Sequence, residues 1–380
     1  MSEINLNGLT ARLTALTRDL VLIPSTDSRP MDRNRCFQFF RNHLEPLPGI
    51  TLTTHEKDGY ESLLALPCGI DHPEILLCGH LDVIEHPHGE CYRSTVADGR
   101  IYGPGAGDMK GQLAIMLELF RHFHRTMPGI SLGLAITSDE ERGGESGVRF
   151  LVEEIGLRCG LAIIPDGGSL NDITVEEKGI LHLRVLSHGH SSHAARPWLA
   201  DNALLRLTNG LTRLQEYFAS LKPPDLADDD HWYPTCVVTT IQTENETINC
   251  IPSEAEAAMD VRFPPPNNGK SMLRTIDDVL GEGLSVKLLV CAEPTRLAPD
   301  PEFAAVTERL TGQPVRSVKA SGGSDARFLC AHGIPVLLSR PLVGALHAED
   351  EWIDIRSMAA YYEICRVYIE GKLKGSYEEK

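Results

Sequence analysis

Ile75-Leu76-Leu77-Cys78-Gly79-His80-Leu81-Asp82, followed further on by Tyr102-Gly103-Pro104-Gly105-Ala106-Gly107-Asp108-Met109-Lys110-Gly111, is the stretch that decides how this chain is read. An apolar run that ends in an imidazole and a carboxylate reads as a buried strand delivering polar groups to a cleft rather than to the core. With Asp108 nearby, the residue types are those of a divalent-metal site.

Working outward, the same pattern recurs. Leu113, Met116, Leu117 and Phe120 have helical spacing, and Ser131 to Thr137 is a second apolar run, ending in Ser138-Asp139-Glu140-Glu141. A helix carrying Val148, Leu151, Val152 and Ile155 follows, then a strand Leu161-Ala162-Ile163-Ile164 that ends in Pro165-Asp166-Gly167-Gly168. Upstream, Leu6, Leu9, Leu13, Leu16 and Leu20 form one helical stripe that Pro24 closes, and a helix after Pro30 presents Phe39, Phe40 and Leu44. Short strands are expected near 50–55 and 61–66. Apolar strands alternating with helices predict an α/β layer built on a mainly parallel sheet.

From Ile173 the texture changes. The run Ile180 to Leu186 alternates apolar and polar residues; a long helix is expected from Asp201 to Leu221, strands near 235–243 and 255–263, and a helix near 270–280. This predicts a small α+β unit whose sheet is solvated on one side. Beyond Pro294 the α/β texture returns: a helix from Pro301 to Leu310, strands at Val315 to Val318 and Pro335 to Leu338, a loop with His347, and a last helix with Ile355, Met358, Tyr362, Cys365 and Ile369 on one face. The expected organisation is a discontinuous domain, 1–172 with 294–380, into which residues 173–293 are inserted. The run Asp228-Asp229-Asp230 reads as a solvated loop.

Composition narrows the function. A chain of 380 residues exceeds what one core normally supports, so two domains fit its length. The formal charge of -17 disfavours nucleic acid or an anionic membrane surface as partner. The 10 cysteines are scattered, without a Cys-x-x-Cys pair, which suits reduced thiols. No segment approaches the ~20 apolar residues of a membrane span. A cytoplasmic location is expected.

His80 with Asp82, Asp108, Glu140 with Glu141, Asp166 and the late His347 are therefore the candidate ligands. Taken singly, each has an ordinary reading: a loop histidine, a turn or N-cap aspartate, an acidic pair at a helix start. In an open α/β sheet, however, ligands bind outside the carboxyl ends of the strands, where these residues would converge. The glycines at 103, 105 and 107 do not match Gly-x-Gly-x-x-Gly, and Asp108 would repel a phosphate. His-Glu-x-x-His and Gly-x-Ser-x-Gly are both absent from the sequence.

These segments resemble the M20 metallopeptidase family, whose relatives include acetylornithine deacetylase, succinyl-diaminopimelate desuccinylase and glutamate carboxypeptidase. The resemblance is carried by Gly79 to Asp82, Gly103 to Gly111, Ser138 to Glu141, Gly189-His190-Ser191-Ser192-His193-Ala194-Ala195-Arg196-Pro197, Asn249-Cys250-Ile251-Pro252, Asp260 to Pro264, Ser321-Gly322-Gly323-Ser324-Asp325 and His347, in order along nearly the whole chain. It implies a zinc-exopeptidase-like α/β catalytic domain with a mainly parallel sheet, plus an inserted α+β, ferredoxin-like domain for dimerisation or as a lid.

The resemblance makes His80, Asp108 and Asp166 ligands of one metal, and Asp108, Glu141 and His347 ligands of another. Three carboxylates against two dications leave a single positive charge for a hydroxide to neutralise, which suits zinc, with cobalt or manganese as alternatives. It also implies that Asp82 orients His80, that Glu140 is the general base, and that His193, reaching over from a partner subunit, stabilises the oxyanion. Asn249 and Arg262 would hold a substrate carboxylate, although Arg262 equally suits tying down a strand end. Gly322 and Gly323 would let substrate approach the backbone. In this family the peptide bond after the bridging aspartate is often cis.

Two departures bear on substrate. Asp166 stands where several deacylases of the family have glutamate, and Gly103-Pro104-Gly105 replaces an arginine-containing version common in desuccinylase-like enzymes. The expectation is a homodimeric, dinuclear amidohydrolase acting on a small N-acyl amino acid or peptide-like substrate with a free carboxylate. The alternatives are a dipeptidase or aminopeptidase and, from another class, a non-catalytic binding protein.

Overall fold

The computed structural model describes residues 3–224 and 231–378 of the chain, so the Asp228-Asp229-Asp230 run lies outside the described residues. In chain order, helices α1 (Glu3–Val21) and α2 (Pro30–Leu44) precede strands β1 (Ile50–Lys57), β2 (Tyr60–Pro67) and β3 (Ile75–His80). Then come α3 (Gly111–Thr126), β4 (Leu132–Thr137), α4 (Val148–Glu153) and β5 (Leu161–Ile164). The middle of the chain forms β6 (Gly179–His188), α5 (Ala203–Ser220), β7 (Thr235–Gln242), β8 (Glu254–Phe263), α6 (Gly269–Leu280) and β9 (Leu284–Ala292). It ends with α7 (Pro301–Thr311), α8 (Ala326–Ala331), β10 (Val336–Leu338) and α9 (Ile355–Glu378).

Two compact units result. One holds Met1–Val175, Arg296–Val318 and Ser324–Lys380; the other holds Glu176–Thr295 with Lys319–Gly323. In the first, six strands pair in the order β1-β2-β4-β3-β5-β10. Pairing is antiparallel at the β1 and β2 edge and parallel from β4 through β10. Every residue of β3 and β4 is buried, which is why both strands read as unbroken apolar runs.

Successive side chains along these strands feed opposite cores, as the two-residue period of a strand requires. Ile75, Leu77, Leu134, Ile136, Ile163 and Leu337 pack with α1, α2, α3 and α9; Leu76, Cys78, Ala135, Ala162, Ile164, Val336 and Leu338 pack with α4 and α8. Two details differ from the sequence expectation. Phe37, not Phe39, is the fully buried ring alongside Phe40 in α2. Ile155 is 41% exposed because α4 stops at Glu153, before the turn that would have carried it inward.

The second unit is a βαββαβ arrangement whose four strands pair antiparallel in the order β7-β8-β6-β9. That is the ferredoxin-like pattern. The sequence reading stopped at α6 and missed β9, whose outward residues are exposed on one face and whose edge position leaves its apolar pattern weak. Asn268 caps α6 reciprocally with Ser271, and the inward residues Met272, Ile276 and Leu280 seat that helix on the sheet with Leu181, Leu183 and Val261.

Candidate metal centre

Parallel pairing sets the candidate residues side by side. His80 pairs with Thr137, so β4 continues past that level into Ser138-Asp139-Glu140-Glu141. Leu338 pairs with Ile164, and continuing that register brings Arg340 level with Asp166. The chain runs from β3 to β4 on one side and then to β5 on the other, so His80 sits where the strand order reverses. A crevice at the carboxyl ends of the strands is expected there.

Asp108 comes from the glycine-bearing loop, not from a strand, and Glu351 holds that loop. The Glu351 carboxylate is buried and accepts hydrogen bonds from the backbone N–H groups of Gly105 (3.0 Å), Gly107 (2.6 Å) and Asp108 (2.8 Å). Burial pushes its carboxyl up to about 7, against the pull of those three donors. Gly107 must be glycine, since a Cβ there would lie 2.9 Å from Val343 and 3.0 Å from the Trp352 carbonyl oxygen. The Asp108–Met109 peptide bond is cis.

The two oxygens of Asp108 face different imidazoles. Oδ1 lies 3.3 Å from His80 Nε2, and Oδ2 lies 3.4 Å from His347 Nε2, which is itself 3.3 Å from Glu141 Oε1. Ligand atoms of His80, Asp108 and Asp166 lie within 4.8 Å of one another, and so do those of Asp108, Glu141 and His347. His80 Nδ1 is 3.1 Å from the Asp82 carbonyl oxygen and 3.5 Å from its carboxylate, so the nearer contact is with the backbone. The Asp82 carboxylate instead accepts the Glu141 N–H at 2.9 Å. Asp139, buried beside the candidate base, accepts from the N–H groups of Ser146 and Gly147 and pins the loop that carries Glu140 and Glu141.

The electrostatics suit a cation. His80 Nε2 is buried without a hydrogen-bond partner although carboxylates surround it. Burial disfavours a charge on His80, yet Asp108 and Asp82 outweigh it and raise its pKa; hydrogen bonding to Asp108 and Glu141 lifts His347 to about 10. Asp108 is held well below the carboxylate range by His347 and His80 despite its burial. A field strong enough to keep protons on both imidazoles also attracts a dication, and imidazole nitrogens with carboxylate oxygens are a donor set for zinc. Burial raises the Glu140 carboxyl well above its usual range; His80 opposes this, and Asp166, Asp325 and Glu141 reinforce it. That suits a group whose task is to accept a proton.

The remaining candidates belong to the second unit. His193 is exposed, and its Nδ1 accepts from the Ala195 N–H at 3.1 Å, which leaves the neutral ring's proton on Nε2. Residues 189–196 and 249–252 are joined there: Ala194 N–H bonds to the Asn249 carbonyl, Ile251 N–H to the Ser192 carbonyl, and His193 bridges to Cys250. The fork of Arg262 is filled by Asp260, at 2.7 and 2.8 Å, with His182 Nε2 on the same carboxylate at 3.0 Å. A Cβ on Gly322 would meet no atom within 4 Å, and Gly322 and Gly323 lie in the segment that joins this unit.

Sequence reasoning missed Glu351, Arg340 and the structural part played by Asp139. Glu351 ends the run Glu349-Asp350-Glu351, which reads as a solvated acidic loop, and only the last of the three is buried. Arg340 was detectable, because it follows a buried strand just as Asp166 does.

Residues 76–370 match the model of peptidase family M20/M25/M40. The chain belongs to peptidase family M20/M25/M40. It is 30% identical over 333 residues to the succinyl-diaminopimelate desuccinylase of Parvibaculum lavamentivorans, covering 80% of this chain and 82% of that one. To the enzyme of the same name from Rhodospirillum centenum it is 29% identical over 394 residues, covering 95% and 97%. Its fold matches that of an M20 family metallo-carboxypeptidase from Sulfolobus solfataricus with a TM-score of 0.76 at 17% identity, over 97% of this chain and 99% of the other. It also matches the dipeptidase Dug1p of Saccharomyces cerevisiae with a TM-score of 0.74 at 14% identity, over 96% of each. This M20-family protein is thus a metal-dependent amidohydrolase, and among its described residues no helix is long and apolar enough to cross a membrane.

Proposed function

We propose that this M20-family protein uses two divalent ions, zinc first among them, to hydrolyse the amide bond of a small N-acyl amino acid or peptide-like substrate that bears a free carboxylate. The observation that carries the reading is Asp108, whose two oxygens face His80 and His347 separately, as a carboxylate shared by two cations should. His80, Asp108 and Asp166 would hold one ion, and Asp108, Glu141 and His347 the other. When bound, such ions polarise a carbonyl and make water acidic enough to give up a proton near neutral pH.

The chain's own residues do the rest. Glu140 takes the proton from the water that attacks the amide carbon, then passes it to the departing amine; its raised pKa keeps that proton long enough to be handed on. His193 donates its Nε2 proton as a hydrogen bond to the developing oxyanion. We infer a homodimer in which His193 of one copy serves the other, as the family resemblance implies, with the inserted unit as the dimerisation or lid domain. Asn249 is assigned to the substrate carboxylate. Arg262, whose fork Asp260 fills, is assigned to the strand-end role. Scattered cysteines without a Cys-x-x-Cys pair support a cytoplasmic setting.

The relatives named as desuccinylases favour a deacylase over an exopeptidase. The dipeptidase reading retains one support, Asp166 in place of glutamate. Hydrolysis of a panel of N-acyl amino acids and dipeptides by the zinc-loaded protein separates the two. Turnover of the N-acyl compounds is expected, and activity confined to substrates with a free amine would refute the deacylase assignment.

A further inference from the structure

Arg340 has no part in the reaction above, and its surroundings are unusual. Its side chain is 16% exposed, and its Nη1 stands 3.6 Å from Asp166 Oδ1, beyond hydrogen-bond reach. Its Nε is buried without a hydrogen-bond partner. A guanidinium kept for architecture has its fork filled, as Asp260 fills that of Arg262 at 2.7 and 2.8 Å. Arg340 instead brings a permanent charge to the edge of the centre without a matching set of bonds.

That charge also reaches Asp108, which both metal positions share, but the ion-pair partner of Arg340 serves only one of them. Asp166 belongs to the group His80, Asp108 and Asp166, while the group Asp108, Glu141 and His347 does without it. Among the described residues the ion-pair partners of Asp108 and Glu141 are histidines alone. We propose that Arg340 makes the two metal positions unequal, its guanidinium rendering the His80–Asp108–Asp166 position the weaker and more readily exchanged one. The inference rests on the two-ion reading above.

The size of the effect follows from charge and distance. Metal–oxygen bonds of about 2 Å would set an ion held by Asp166 roughly 6 Å from the guanidinium; even at the dielectric of water the repulsion of a dication at that range is worth about tenfold in affinity. A carboxylate partner can also steady a ligand, and loss of such an orienting contact typically weakens metal binding 10–100-fold. At 3.6 Å without a hydrogen bond the orienting part is small, and the charge decides the sign.

The test is a titration of the metal-free full-length protein with cobalt(II), followed by calorimetry and by the visible absorption of the bound ion. Wild type should bind two ions in unequal steps, and Asp166→Asn should remove the weaker one. Arg340→Gln should tighten that weaker step by about tenfold or more and leave the tighter step in place, whereas Arg340→Lys, which keeps the charge, should stay near wild type. A weaker step that is unchanged or loosened in Arg340→Gln, or tightened equally in Arg340→Lys, overturns the inference and leaves the two-ion reading standing. If wild type and both variants bind fewer than two ions, the inference and that reading fall together.

Discussion

Replacing Glu351 by alanine should loosen the loop that carries Asp108. The Glu351 carboxylate is 2% exposed and is the acceptor for three backbone donors, Gly105, Gly107 and Asp108, at 3.0, 2.6 and 2.8 Å. Stranding a buried donor costs about 1–3 kcal/mol, and here three lose their shared acceptor together. Water entering the space left by the side chain would recover part of this, so a loss of about 3–5 kcal/mol is expected, at the upper end for a single substitution. Glu351→Gln keeps one oxygen for Gly107 and Asp108 but turns an amide towards the Gly105 N–H, and should lose about 1–2 kcal/mol. Urea unfolding gives the stability change, and hydrogen exchange across residues 103–111 shows whether it is local. A loss below about 1 kcal/mol for Glu351→Ala, with unchanged exchange in that segment, would refute the reasoning.

Other outcomes follow from the same geometry. Glu140→Ala should keep its metal content, because Glu140 belongs to neither ligand group, and should lose turnover by a factor of about 100 or more, the low end of what a general base supplies; comparable hydrolysis by that variant would remove Glu140 from its role. Asp260 gives a pH dependence. Burial raises its pKa, but hydrogen bonds from His182 and Arg262 outweigh that and hold the carboxyl well below its ordinary value of 3.8. The stability it contributes is therefore present above pH ~4 and is lost as the pH falls through and below that value. Thermal melts should show Asp260→Asn destabilised more at pH 7 than at pH 3, and an equal shift at both would contradict the pairing.

Much of the fold was legible because buried parallel strands leave continuous apolar runs: β3, β4 and β5 each announced themselves, and each ends in the polar residues that reach the centre. β9 was not, because an edge strand with one wet face carries too few apolar residues to stand out. In the site, His80, Asp108, Glu141, Asp166 and His347 came forward as residue types that must share a cleft; the pairing register sets the strand ends before His80, Glu141 and Asp166 side by side, and loops bring Asp108 and His347 to them. Residues that act on the ligands without being ligands were harder to see. Glu351 hid in an acidic run, and nothing local in the sequence marks a carboxylate whose donors lie more than 240 positions away. Asp82 shows the converse: its residue type suggested a carboxylate contact, but the Asp82 atom nearest the His80 ring is its backbone carbonyl oxygen.

The central claim is that Asp108 joins two metal positions. Metal analysis of the zinc-reconstituted, dialysed protein, beside Asp108→Ala and Asp166→Ala, tests it directly. The account predicts about two ions per chain in wild type, one in Asp166→Ala and none held tightly in Asp108→Ala, since each group of three ligands includes Asp108 and only one includes Asp166. A wild-type protein holding a single ion, or an Asp108→Ala variant that keeps both, would contradict it.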